Sequence, residues 1–302
     1  MINNYIVAGI PFRINWNEEF CTNEWLVQYQ PFLVSGAEEN AAFTFTFCAE
    51  GFDTHGKDLL YKEESDERYM RFEIYQDKDH YIFLAAITKT DGLLYHIVTS
   101  RDFSDARLYV NLEENGKDSE FLPKTKFIAE NFIRILFSQN AALRHVVCLH
   151  ASAMRYKDKA YLFMGHSGSG KSTHSRLWLK YFDDTELMND DNPVVALDEN
   201  EQPVVYGSPW SGKTICYKKI SAPLAGIAHI VQRPENKMLP YPKFQAYRFV
   251  HRNAFGMTYL SPLIADGIYY TVEKIISQIP IYQLQCRADK EAAKLCKKTL
   301  VK

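Results

Sequence analysis

The segment at residues 165–172 constrains the fold more than any other part of the sequence. It reads Gly-His-Ser-Gly-Ser-Gly-Lys-Ser and matches the pattern G-x-x-x-x-G-K-[ST] at every fixed position. Its glycines let the backbone turn tightly and aim several N–H groups inward, where an anion can bind. A helix that follows such a loop adds the positive end of its dipole. The segment therefore has to lie between a strand and a helix.

The flanking sequence predicts both elements. Residues 160–164 are apolar, as in a buried strand, and apolar residues recur at helical spacing over residues 172–182. This context predicts a loop that binds the phosphates of a nucleoside triphosphate. Lys171 is expected to reach the β- and γ-phosphates, and the hydroxyl of Ser172 to ligate Mg²⁺. The residues expected to bind the nucleotide are Gly165, Ser167, Gly168, Ser169, Gly170, Lys171, Ser172 and Thr173.

An acidic pair, Asp190 and Asp191, follows the loop at the end of a short apolar stretch. A phosphate loop needs a second oxygen ligand for magnesium, usually a carboxylate at the end of a neighbouring strand. Adjacent side chains on an extended chain point in opposite directions, so the two acids are expected to differ in role. One can meet the metal, and the other can act as a base or anchor a basic residue. The alternative is a surface turn, Asn-Asp-Asp-Asn-Pro, at residues 189–193.

The first part of the chain follows a different pattern. Residues 42–48, 69–75 and 106–112 alternate apolar and polar side chains, which is typical of half-buried strands. Thr-Asp-Gly at residues 90–92 predicts a hairpin turn. Residues 1–125 are therefore expected to form an antiparallel β domain, to which the sequence assigns no role.

Residues 126–139 carry apolar side chains at helical spacing and predict an amphipathic helix. We expect a bridging helix at residues 126–142, which opens a second domain at residues 126–302. Further along, residues 194–197 and 203–206 predict a hairpin, and residues 262–277 and 288–300 predict two helices.

Net charge, cysteine spacing and the lack of long apolar runs indicate which partners and which cellular compartment to expect. Lys plus Arg number 35 and Asp plus Glu number 37 in 302 residues, a net charge of −2 that favours neither nucleic acid nor an anionic membrane as a partner. The six cysteines are scattered and form no C-x-x-C pair, as expected in a reducing compartment. The N-terminus lacks the basic start of a signal peptide, and no apolar run approaches the about 18 residues of a membrane span. We expect a soluble, cytoplasmic protein.

Three stretches together resemble a known family. They are Leu-His-Ala-Ser at residues 149–152, the glycine-rich loop through Thr173, and Asn-Asp-Asp at residues 189–191. This combination resembles the HPr kinase/phosphorylase group, whose P-loop core is related to that of ATP-dependent phosphoenolpyruvate carboxykinase. The resemblance covers about residues 146–209. It implies an α/β fold, with a P-loop core of the HPr-kinase/carboxykinase type preceded by the N-terminal antiparallel β domain.

The resemblance also implies roles for individual residues. Asp190 would deprotonate the acceptor hydroxyl, and Asp191 would support the metal or a nearby cation. His150 would lie at the mouth of the phosphate site, so Asp190, Lys171 and His150 are the expected catalytic residues. A histidine in an apolar strand is also typical of a protein core, and that alternative stays open for His150. The segment at residues 207–213 would shape the acceptor side, with Lys213 near a phosphate.

These observations favour an ATP-dependent kinase that phosphorylates a hydroxyl on a protein serine or a small molecule. The alternative is an ATP-binding switch or an ATPase without a phosphoryl acceptor, which would control a partner protein. ATP is favoured over GTP because Asn-Lys-Met-Leu at residues 236–239 lacks the acid of the guanine-specific N-K-x-D sequence. The expected cofactors are ATP and Mg²⁺, the acceptor is open, and a homo-oligomer is possible by analogy with HPr kinase relatives. Arg233, after an apolar stretch, is a further candidate for neutralising transition-state charge.

Overall fold

The computed structural model describes residues 1–17, 25, 27–36, 40–50, 52, 56–62, 71–87, 95–110, 121–212 and 214–301. The hairpin turn predicted at residues 90–92 and Lys213 lie outside these ranges. The chain divides into two compact units. One contains Met1–Ile6 and Ile10–Asn140, and the other contains Val7–Gly9 and Ala141–Lys302.

The first unit contains a nine-stranded sheet with the order β3-β1-β2-β4-β9-β8-β7-β6-β5. Its strands are β1 (Ile2–Val7), β2 (Ile10–Asn15), β3 (Leu33–Val34), β4 (Thr44–Cys48), β5 (Asp58–Lys62), β6 (Arg71–Gln76), β7 (His80–Ala86), β8 (Tyr95–Ser100) and β9 (Asp105–Tyr109). A 3-10 helix, Gln30–Phe32, precedes β3. Helix α1 (Phe121–Ala142) follows the sheet.

Alternating side chains explain this sheet and its core. In β2 and β4 every second residue is buried, so one face of each strand packs inward. The Phe12 ring stacks on Phe43 with the centroids 5.0 Å apart. Helix α1 covers this core, because Phe132 meets Phe83 at 5.2 Å and Phe137 meets Phe12 at 6.0 Å.

The second unit also contains a nine-stranded sheet. Its main path runs β10-β14-β15-β16-β12-β11-β13, and β18 joins it at β16 with β17 alongside. The strands are β10 (Val146–Cys148), β11 (Ala151–Tyr156), β12 (Lys159–Met164), β13 (Thr185–Asn189), β14 (Val194–Leu197), β15 (Pro203–Tyr206), β16 (Ser221–Gln232), β17 (Lys237–Pro240) and β18 (Ile281–Cys286). The helices are α2 (Lys171–Tyr181), α3 (Lys243–Arg252), α4 (Pro262–Gln278) and α5 (Lys290–Leu300).

Strand β12 and helix α2 form the centre of this unit. β12 pairs antiparallel with β11 on one side and parallel with β16 on the other, and its residues are buried from Ala160 onward. Trp178 of α2 is fully buried against Tyr161 and Phe163 of β12. Apolar residues of α5, with Cys296 and Leu300 among them, complete the same cluster.

The predicted α/β fold class, with an HPr-kinase-type P-loop core, is wrong. The described chain is mostly β-sheet: two large mixed sheets of eighteen strands in all, with 29% of residues helical. An α/β core needs parallel strands joined by crossover helices. Here most described strand pairs are antiparallel, since tight turns such as the one between β11 and β12 connect successive strands. The parallel pairs described are β2–β4, β4–β9, β12–β16 and β16–β18.

The N-terminal sheet is likewise mixed instead of antiparallel, because β4 pairs parallel with both β2 and β9. Most of the individual elements that the sequence predicted are confirmed. The helix predicted at residues 126–142 is part of α1, which begins earlier, at Phe121, and the strand before the loop is β12. The helix after the loop, the hairpin and the two C-terminal helices correspond to α2, β14 and β15, α4 and α5. Among the described helices, none is long and apolar enough to cross a membrane.

His174 gives this fold a specific pH dependence. It is buried in the core, where Nε1 of Trp178 donates to its Nε2 at 3.1 Å and the edge of its ring meets Phe163. Burial lowers the pKa of His174 from 6.5 to about 3. Between pH 6.5 and about 3, His174 is therefore protonated in the unfolded chain and neutral in the folded chain. The free energy of unfolding is expected to fall by about 1.4 kcal/mol per pH unit from this group as the pH drops towards 3.

His174→Gln should remove this contribution. Urea denaturation at several pH values between 6 and 5 should give a slope of unfolding free energy against pH that is about one proton shallower than in the wild type. The slope is the readout because the substitution also loses the bond from Trp178 and lowers stability at every pH. An unchanged slope would show that His174 is not the group that titrates.

Candidate functional site

The loop at residues 165–170 joins β12 to α2, as the sequence predicted. Its three glycines adopt positive φ angles: 151° at Gly165, 78° at Gly168 and 105° at Gly170. A Cβ added to Gly165 would lie 2.6 Å from Oγ of Ser169 and 3.0 Å from the backbone oxygen of Ile230. The loop conformation therefore requires glycine for its backbone angles and, at Gly165, also for space.

The first turn of α2 is open towards the loop. Gly170 occupies the N-cap in the left-handed region, and within the described chain no side chain caps this end of the helix. The N–H groups of a first helical turn have no partner inside the helix, and the helix dipole makes this end positive. The loop and the helix end are therefore arranged as an anion-binding site.

Lys171 places a cation at this site. The side chain is largely buried, with 8% of the residue exposed. Its Nζ donates to Nε2 of His150 at 2.8 Å and to the carbonyl of Gly165 at 3.0 Å. Burial lowers the pKa of Lys171, while the negative charges of Asp191 and Asp190 oppose that shift. The ammonium group is thus held beside the loop, and the negative charges of both acids are close enough to favour its protonated form.

His150 connects Lys171 to the acidic pair. An ammonium group only donates hydrogen bonds, so Nε2 of His150 must accept from Lys171. The other ring nitrogen, Nδ1, then carries the proton and lies 3.2 Å from Oδ1 of Asp191. His150 follows β10, and its backbone N–H donates to the carbonyl of Asn253. The chain Lys171–His150–Asp191 fixes the imidazole, and His150 is half-buried at the site instead of lying in the core.

Asp190 points to a different set of partners. It is 3% exposed. Its Oδ1 accepts from Oγ of Ser152 at 3.1 Å, and its Oδ2 accepts from the backbone N–H of Thr214 at 3.3 Å. Oγ of Ser152 also lies 2.6 Å from Oγ of Ser175 on α2. The two acids differ in environment, but they lie in a turn after β13 and not on the extended chain that the sequence analysis assumed. Asp190 is tied to β11 directly and to α2 through Ser152.

Asn189 positions the acidic pair and was missed by the sequence analysis. Its side chain is fully buried, and its Oδ1 accepts from the N–H groups of Asp191 at 2.9 Å and Asn192 at 2.7 Å. Its Nδ2 donates to Oγ of Ser208 and to the carbonyl of Trp210, both at 3.1 Å. The Asn-Asp-Asp-Asn-Pro sequence carried the signal, because asparagine commonly bonds to the backbone two residues ahead in a turn.

The segment after β15 closes one side of the site. A Cβ added to Gly212 would lie 3.0 Å from Cβ of Asp191, so this backbone approaches the acidic pair closely. Gly207 is held tightly against the backbone oxygen of Lys218, which an added Cβ would meet at 2.1 Å. The predicted contribution of Lys213 falls on a residue outside the described ranges.

These groups surround a cleft of about 310 Å³. Its lining brings together most of the predicted residues, includes Gly212 of the segment predicted to shape the acceptor side, and adds Arg176. Arg176 lies one helical turn after Ser172, which is the spacing that places two side chains on one helix face. Of the predicted loop residues, Gly165 and Ser169 shape the loop without lining this cleft. The lining consists of His150, Ser167, Gly168, Gly170, Lys171, Ser172, Thr173, Arg176, Asp190, Asp191 and Gly212.

The residues of the cleft fit a triphosphate and a magnesium ion. Loop amides, the end of α2 and the ammonium group of Lys171 match the charge and hydrogen-bonding needs of phosphate. The hydroxyl of Ser172 and the carboxylate of Asp191 line the same cleft, and oxygen ligands are those that Mg²⁺ prefers.

Asn189→Ala should destabilise the second unit. The change removes the side-chain oxygen that accepts from the N–H groups of Asp191 and Asn192, and a buried donor that loses its acceptor costs about 1–3 kcal/mol. We expect the free energy of unfolding to fall by about 3 kcal/mol, measured by chemical denaturation. Asn200→Ala, at the exposed hairpin turn, is the matched control and should change it by no more than about 0.5 kcal/mol. Equal effects of the two substitutions would contradict the positioning role of Asn189.

Comparison of the sequence with known proteins found no matching protein-family model and no matching curated protein. The resemblance to the HPr kinase group therefore rests on His150, the glycine-rich loop and the acidic pair.

Proposed function

We propose that this chain binds ATP with magnesium in the cleft and transfers the γ-phosphoryl group to a hydroxyl. The observation that carries the proposal is the meeting of Lys171, Asp190 and Asp191 with the glycine-rich loop around one cleft. Binding of phosphate by the loop explains why the ammonium group of Lys171 and the backbone N–H groups of the loop lie together. A site that bound only an anion would not be expected to contain two carboxylates, because carboxylates repel phosphate. Their presence is explained if one binds a metal ion and the other takes part in proton transfer.

Each residue has a distinct task in this reaction. Phosphoryl transfer depends mainly on positioning and on neutralising charge. Lys171 and the loop amides bind the phosphates, and Ser172 and Asp191 would hold the magnesium ion, which supplies further positive charge. Asp190 accepts the proton of the acceptor hydroxyl as the acceptor oxygen bonds to the γ-phosphorus. The bond from that phosphorus to the bridging oxygen breaks, and ADP leaves.

His150 acts through its neighbours in this proposal. It accepts from Lys171 and donates to Asp191, so it keeps the cation and the metal-binding carboxylate in a fixed relation. The resemblance to the HPr kinase group likewise implies that the histidine, the loop and the acids belong to one phosphate site, although it implied a catalytic role for His150 where we propose a positioning one. The acceptor, a protein serine or a small molecule, would enter the cleft, because Asp190 and Asp191 both line it.

One observation favours a second candidate function. Asp190 is 3% exposed, and both of its carboxylate oxygens accept hydrogen bonds from the protein. A base that an acceptor hydroxyl must reach is expected to be more open than this. The alternative is that ATP binds without transfer to an acceptor, so that the occupied site controls a partner protein.

We further propose a cytoplasmic location. Four of the cysteines that the structure describes are free thiols: Cys48, Cys216, Cys286 and Cys296. Free thiols are typical of a reducing compartment.

Lys171→Ala should weaken ATP binding in the presence of magnesium by about 10- to 100-fold, because a hydrogen bond to a charged group contributes about 1.5–3 kcal/mol. Isothermal titration calorimetry measures this directly. Lys180→Ala, an exposed lysine at the other end of the same helix, is the matched control and should bind as the wild type does. ATP affinity that survives Lys171→Ala would rule out the loop as the phosphate site.

Asp190→Asn separates the two candidate functions. If Asp190 is the base, the substitution should lower phosphoryl transfer by about 100- to 10,000-fold while ATP binding persists. The measurement is incubation of each protein with γ-labelled ATP and magnesium in a lysate of the source cells. A labelled protein or metabolite formed only with the wild type supports the kinase. Release of free phosphate alone, or binding without turnover, supports the switch.

A further inference from the structure

A second cavity, of about 540 Å³, lies beside the phosphate cleft. The two share Gly170 and Thr173, so the end of the loop and the first turn of α2 form their common boundary. Leu177 lies one helical turn beyond Thr173 and therefore on the same face of α2. This face of the helix forms one wall of the cavity, and Thr173 borders both the cavity and the cleft.

The lining of the cavity combines apolar side chains with polar and basic ones. Leu177, Ile230 and Pro234 contribute apolar surface, and Arg233 and Arg287 are exposed lining residues. Gln232, another lining residue, donates from its Nε2 to the carbonyl of Gly168 at 3.1 Å. That hydrogen bond links the cavity wall directly to the loop that binds phosphate.

We propose that this cavity binds the base of the nucleotide whose triphosphate occupies the adjoining cleft. A nucleobase is planar, with largely apolar faces and polar edges, and a cavity with apolar walls and a few polar groups suits such a ligand. The guanidinium groups of Arg233 and Arg287 can stack on its face. This inference rests on the proposed function, and it assigns residues that the glycine-rich pattern does not contain.

The arrangement of the two sites argues against the acceptor as occupant of this cavity. The acceptor has to reach the acidic pair, and among the described residues Asp190, Asp191 and His150 line the phosphate cleft and not the cavity. The acceptor and the base would therefore approach the phosphates from different sides of the loop. The sequence-based role of Arg233 in neutralising transition-state charge is replaced here by a role in binding the base.

The test compares ATP with inorganic tripolyphosphate, which carries the phosphates without the base. Leu177→Trp fills the cavity and should weaken ATP binding by about tenfold or more, while changing tripolyphosphate binding by less than about twofold. Leu179→Trp places the same bulk on the exposed side of the same helix, where Leu179 is 43% exposed, and should leave both affinities unchanged. Both ligands are titrated calorimetrically with magnesium.

Ala288→Trp is a second variant that fills the cavity from an exposed position and keeps the test valid if Leu177→Trp does not fold. A selective loss of ATP affinity in the variants that fold supports the base site. Unchanged ATP affinity in those variants, or an equal loss for both ligands, would overturn it while leaving the proposed function intact. A wild-type chain that bound neither ligand would instead overturn the proposed function itself.

Discussion

The ammonium group of Lys171 is largely buried, and a buried charge is costly unless hydrogen bonds and opposite charges compensate it. That requirement orders the site. The carbonyl of Gly165 supplies one partner from the loop, and Nε2 of His150 supplies another from beyond β10. His150 then needs an acceptor for its own N–H, which is Asp191. One cation thus connects the loop, the histidine and the acidic pair, and replacing any of them alters the charge balance of the others.

The sheet of the second unit brings these groups together. β11 pairs antiparallel with β12, which sets Ala151 opposite Met164 and places His150 next to the start of the loop. β11 also pairs with β13, which sets Ala153 opposite Asn189, and the N–H of Ala151 donates to the carbonyl of Asp191. The two ladders fix the histidine and both acids from the same strand. The acids themselves lie in a turn after the end of β13. The buried side-chain amide of Asn189 holds this turn by accepting from two of its backbone N–H groups.

The parts of the fold that sequence could predict are those that depend on local chemistry. The glycines at fixed positions before Lys171 require a loop between a strand and a helix, and β12 and α2 confirm that prediction. This local requirement does not determine which strands pair with β12. The α/β prediction came from the resemblance to the HPr kinase group, whereas β11 reaches β12 through a tight turn and pairs antiparallel. The parallel partner of β12 is β16, more than 50 residues away along the chain, and no local pattern encodes that pairing. Local sequence indicates the bonds from Asn189 to the N–H groups of the turn, but its bonds to Ser208 and Trp210 join residues distant in sequence and could not be predicted.

The position of α2 sets how the chain can separate its ligands. Successive side chains of a helix point about 100° apart, so the first turn necessarily faces more than one way. Lys171 and Ser172 face the acidic pair, while Leu177 faces the apolar cavity, and Thr173 borders both spaces. Trp178, on the buried side, anchors the helix in the core. A helix held in this way presents charged groups to the cleft on one side and an apolar wall to the cavity on the other. In the proposed function, binding of the triphosphate and binding of the base therefore depend on different residues of one helix.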